Sequence, residues 1–144
     1  MPPKKRITKE LILQKAFEII HEEGIESLNA RYLAKQLNCS TMPIFQSFQD
    51  MNELKAEVKL RIDEYYTEFI NQYIDKADYL FTISFAYINF ARKERNFFGA
   101  LFVNPLLGSR TVQEVIDSPW NRETIECTAE QFKISIQESE GLYR

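Results

Sequence analysis

The chain has 144 residues, 44% of them hydrophobic and only four glycines and five prolines, so it can bury a sizeable core and disfavours a turn-rich β architecture. No apolar run approaches the ~18 residues that span a bilayer, two cysteines are too few for a disulfide framework, and no apolar stretch of signal-peptide type follows the basic start; an all-α, cytoplasmic protein with free thiols and no membrane association is expected. The net charge is −3 but unevenly spread, with seven Lys or Arg against five acids in residues 1–48 and eleven against sixteen in residues 49–144; a mildly basic front suits a polyanionic partner, as it does a solubilising tail.

In chain order, a first helix begins at Thr8, a good N-cap, with Glu10 at the positive end of the dipole. Ile12, Leu13, Ala16, Phe17, Ile19 and Ile20 give it one broad apolar face, and Gly24 stops it. A short second helix runs from Asn29 to Leu37 with Leu33, Ala34 and Leu37 inward. Asn38-Cys39 forms a tight connection, because Asn tolerates positive φ. Ser40 is the expected cap of a third helix, with Pro43 at its third position and Ile44, Phe45 and Phe48 as apolar contacts. Asp50 and Glu53 form a capping-box pattern for a long fourth helix. Leu54, Val58, Ile62, Tyr65, Phe69 and Tyr73 recur along it at helical spacing, so it is expected to join two modules. A fifth helix, Tyr79 to Glu94, is apolar nearly all round as far as Ala91, the pattern of a helix in the middle of a bundle. Asn96–Val103 gives a short sixth helix, ended by Asn104-Pro105, and Thr111–Ile116 another. Ser118-Pro119 starts a final helix with Ile125, Ala129, Phe132 and Ile136 inward and Gly141 at its end.

Two helices joined by a tight turn are the layout of a helix-turn-helix, whose second helix presents its front to the major groove of DNA. That front reads Ser40-Thr41-Met42-Pro43, then Gln46, small or polar except for Met42. Gln46 suits a hydrogen bond to a base edge, and Thr41 and Met42 suit contact with a thymine methyl. Lys4, Lys5 and Arg6 form a basic arm that follows a phosphate backbone or enters a minor groove, or else is a solvated tail.

The stretch Ile12–Gly24, then Leu33-Ala34, Cys39-Ser40, Ile44-Phe45-Gln46-Ser47-Phe48 and Asn52-Glu53-Leu54 resembles the N-terminal domain of the tetracycline-repressor (TetR) family, over about Thr8 to Val58. The resemblance implies a homodimeric, all-helical repressor. Its head, residues 1–50, is a three-helix DNA-binding domain, and the long fourth helix joins this to a helical ligand-binding and dimerisation domain, residues 51–144. The implied partners are a palindromic double-stranded DNA operator and a small hydrophobic effector that re-spaces the heads. Ser40, Thr41, Met42, Pro43 and Gln46 match the family's reading positions, and Arg31 matches a position near phosphate. Phe45 falls where the family usually has a tyrosine whose hydroxyl touches phosphate, and Met51 where a lysine is common; Lys55, one turn on, is placed to compensate. The family's last two helices commonly build the dimer interface, and the chain is expected to lack them.

The aromatic residues Tyr79, Phe81, Phe85, Tyr87, Phe90, Phe97, Phe98 and Phe102 read either as core or as an apolar ligand pocket. Within a pocket, Phe85, Tyr87, Asn89, Phe98 and Phe102 are the ligand candidates, Tyr87 and Asn89 foremost because their polar groups need partners. His21 reads as a solvated surface residue. No glycine-rich phosphate loop, His-x-x-x-His pair or nucleophile elbow occurs, so no catalytic residue, metal or cofactor is expected. A helix-turn-helix adaptor that binds protein rather than DNA, or a helical small-molecule carrier, is the alternative.

Overall fold

A computed structural model describes residues 6–104, 108 and 111–142. The described residues form helices α1 (Lys9–Glu23), α2 (Ala30–Gln36), α3 (Met42–Ser47), α4 (Met51–Asn71), α5 (Tyr79–Lys93), α6 (Arg95–Phe98, running into a π turn, Gly99–Val103), α7 (Val112–Ile116), α8 (Pro119–Phe132) and α9 (Ile136–Gly141), and include no strand. None of these helices is long and apolar enough to cross a membrane. The chain divides into two compact units, Met1–Tyr66 with Glu94–Gly108, and Thr67–Lys93 with Ser109–Arg144.

In the first unit, Thr8 caps α1 by accepting from the Leu11 N–H at 3.2 Å, and Gly24 ends it at φ +91°. Asn29 caps α2 through the Tyr32 N–H at 3.0 Å. The end of α2 is a Schellman motif: Asn38 is left-handed at φ 53°, its N–H donates to Lys35, and the Cys39 N–H reaches back to the Ala34 carbonyl. Closing the motif on Cys39 leaves Ser40 as the connecting residue. The expected Ser40 cap is therefore not formed. Thr41 holds the N-cap position with helical backbone angles and no side-chain cap, and Pro43 stands second in α3 rather than third. Asp50 Oδ1 accepts from the Asn52 and Glu53 N–H groups at 2.8 and 2.9 Å, while the Glu53 carboxylate accepts from the Gln49 N–H, one residue earlier than a capping box requires.

Ile12, Ala16, Ile20, Leu33, Ile44, Leu54, Val58 and Ile62 are fully buried in this unit. Two ion pairs strap α1 to α4, Lys9 to Glu57 at 2.5 Å and a bidentate Arg61 to Glu10 at 2.5 and 2.8 Å. The Arg61 hydrogen bond holds the Glu10 carboxyl below its usual range. The α4 residues up to Tyr66 thus belong to the first unit.

The segment from Glu94 completes the unit. Phe97, fully buried, packs against Phe17, His21 and Tyr65 at centroid distances of 4.7, 4.8 and 5.3 Å. Glu94 accepts from the Tyr65 hydroxyl and bonds His21 Nε2, both at 2.8 Å, and Asn96 donates to the His21 carbonyl at the end of α1. His21 is exposed, as expected, yet partnered. Burial, and then Glu94, push the Tyr65 hydroxyl up to about 12 from an ordinary 10.0. A raised folded value means that the stabilisation is complete below pH 10.0 and is lost as pH rises towards about 12. The melting temperature should fall across that window, and less steeply in Tyr65→Phe. Parallel curves for the two proteins would rule Tyr65 out as the responsible group.

In the second unit, α5 buries Tyr79, Ala86 and Phe90, which share one face, and α8 buries Thr124, Ile125, Thr128 and Ala129. The Tyr79 hydroxyl meets Thr124 Oγ1 at 3.3 Å, and Gln131 accepts from the Leu80 N–H at 3.1 Å. The expectation that α5 is buried all round is corrected: Phe81, Phe85 and Ile88 are exposed on the face opposite the buried one. The expected inward Phe132 and Ile136 are also exposed, and the single final helix is two. Lys133 takes a left-handed conformation at φ 55° and closes a second Schellman motif, with Ile134 N–H on the Ala129 carbonyl. Ser135 and Glu138 then form a full capping box for α9.

Candidate nucleic-acid interface

Helix α3 is short and sharply two-sided. Ile44 is fully buried and Phe48, its C-cap, nearly so, which fixes the inner face. Met42, Phe45 and Gln46, spaced at i, i+3 and i+4, all face solvent, with Met42 64% and Phe45 49% exposed. Ser40 is exposed, and Thr41 and Pro43 are half-buried at the start of the helix. The expected reading residues are thus brought together on the front and outer side of one helix. An open groove of about 1270 Å³ beside it is lined by Arg6, Lys9 and Lys15 from the start of the chain and by Ser40, Pro43 and Gln46.

The cations differ in availability. Lys9, Lys15 and Arg61 are taken by Glu57, Glu18 and Glu10. Arg6, Arg31 and Lys35 are exposed, Lys55 is half-buried, and none of the four makes an ion pair among the described residues. Lys35 was not among the expected contacts. Its signal was legible all the same, since Arg31 and Lys35 stand one turn apart on the outer face of α2. Lys4 and Lys5 lie outside the described residues. Tyr32, next to Arg31, is occupied: its hydroxyl donates to Glu23 at 2.7 Å, and that bond raises its pKa.

The five ligand candidates are divided between the two units. Phe98 and Phe102 are half-buried in the first unit, their rings 5.1 Å apart, with Phe102 edge-on to Tyr66. Phe85, Tyr87 and Asn89 belong to the second unit, where Phe85 is 49% and Tyr87 38% exposed. Burial of the remainder of the Tyr87 side chain pushes its hydroxyl up. Among the described residues no cluster of His, Cys, Asp or Glu could hold a metal, and Cys39 and Cys127 are free thiols.

No family model and no curated protein sequence matches the chain.

Proposed function

We propose that this chain is a sequence-specific DNA-binding transcriptional regulator of the tetracycline-repressor kind, in which α3 enters the major groove. The observation that carries the reading is the division of α3: the inner face is locked by Ile44 and Phe48, and the outer face offers Met42, Phe45 and Gln46. The cations Arg6, Arg31, Lys35 and Lys55, without ion pairs among the described residues, flank that helix in sequence and supply the charge that phosphates need. The active form is a homodimer on a palindromic operator, one helix per half-site. A small hydrophobic effector acts on the helical body and releases the repressor, by binding better to a conformation whose heads mismatch the operator spacing. Each unit by itself offers aromatic side chains to such a ligand, Phe85 and Tyr87 in the second or Phe98 and Phe102 in the first.

Selection of bound DNA from a random pool tests the reading. It should return a palindrome, and Gln46→Ala should weaken the selected site by ~1–3 kcal/mol while leaving binding to unrelated DNA unchanged. Failure to enrich any sequence would reject the reading. The adaptor alternative draws on the same exposed Met42 and Phe45, which also suit a protein surface. It predicts a partner whose binding lacks the steep salt dependence of DNA.

A further inference from the structure

We infer that Met42 and Phe45 read thymine methyl groups, so that the DNA bound by α3 is A·T-rich at the positions this helix covers. The inference rests on the DNA-binding reading above and specifies its substrate. Two large apolar side chains stand 64% and 49% exposed on the outer side of a six-residue helix. They are not surplus core, because the inner positions of α3 are already filled by Ile44 and Phe48. In the major groove the apolar group that a base edge offers is the C5 methyl of thymine. Gln46, one turn beyond Met42 on the same side, has the amide that pairs bidentately with adenine N6 and N7.

Charge supports the same choice. Residues 36–54 contain no lysine or arginine, so α3 and both of its connections lack the side chains that most often recognise guanine. The positive charge lies on either side in sequence, at Arg31 and Lys35 on α2 and Lys55 on α4, without ion pairs among the described residues. An uncharged, apolar and amide-bearing centre between cationic flanks complements a groove floor of thymine methyls and adenine edges between two rows of phosphates. Methionine adds adaptability, since its unbranched thioether can follow a methyl at more than one depth.

The test uses the full chain and the site selected from a random pool. Each thymine of that site is replaced in turn by deoxyuridine, which keeps every hydrogen-bonding edge and removes only the methyl. At the thymines under α3, affinity should fall about fourfold for one replacement and about 16-fold for the symmetry-related pair, the value of burying one methyl each. Met42→Ala and Phe45→Ala should each bind thymine and uracil forms equally at one of those positions. Both side chains lie outside the core, so the helical circular dichroism of these variants should be unchanged, which separates lost reading from lost folding. A selected site with guanine at the covered positions, or uracil replacements that all bind as well as thymine, would overturn the inference while leaving DNA binding standing. Failure to select any DNA would remove both.

Discussion

Phe97→Ala should lower the stability of the protein by about 3–5 kcal/mol, the range for truncating a fully buried aromatic side chain. Phe97 has no exposed surface and meets three rings, those of Phe17 and His21 on α1 and of Tyr65 on α4. Its loss leaves a cavity between the end of α1 and the returning segment, and removes the aromatic contacts that add to burial. Urea unfolding followed by circular dichroism measures the change. Phe97→Leu, which keeps most of the apolar volume, should lose less than half as much. A loss under about 1 kcal/mol for Phe97→Ala would mean that the segment after Glu94 does not hold the head together. The consequence extends to function through Asn96, which donates to the His21 carbonyl and so helps to fix the end of α1.

The second large effect concerns salt. In a dimer in which each head applies Arg6, Arg31, Lys35 and Lys55, about eight phosphates are neutralised, and affinity for the selected site should fall roughly 10³–10⁵-fold between about 50 and about 200 mM salt. Arg31→Ala should weaken specific and unrelated DNA alike and make the log–log slope shallower by about two units, one per head. Gln46→Ala should do the opposite, lowering specific affinity with the slope intact. A slope that does not respond to Arg31→Ala would take Arg31 off the phosphate backbone. The pairing of Lys9 with Glu57 and Arg61 with Glu10 makes this partition testable, since those cations serve the α1–α4 contact and Arg61→Ala should alter stability before it alters the salt slope.

Much of the head was legible because its signals are local. Thr8, Asn29 and Asp50 cap helices through their own side chains, and Asn38 turns the chain at positive φ. Each of these depends on residues three or four positions away. The α3 start was misread for a reason equally local: the Schellman motif runs on to Cys39 and leaves no room for Ser40 to act as a cap. The break between α8 and α9 was missed because its left-handed residue is Lys133, where a glycine or asparagine is the usual sign. The Ser135–Glu138 capping box was present in the sequence but lay inside a run of helical apolar spacing that Ile136 appeared to continue.

The sequence by itself determined the all-helical class, the cap of α2 at Asn29 and its turn at Asn38, because caps, turns and apolar periodicity act between near neighbours. Tertiary structure alone decided which apolar faces are covered. An uncharged run such as Tyr79–Ala91 fixes the helix but does not name its partners, and α5 buries one face while leaving Phe81, Phe85 and Ile88 in solvent. Tertiary structure also decided that the segment from Glu94 returns to the unit of α1, and which cations, Lys9 and Arg61 among them, are spent on ion pairs. Those outcomes depend on residues far apart in sequence, 73 positions in the case of His21 and Glu94, and no local pattern encodes such a meeting.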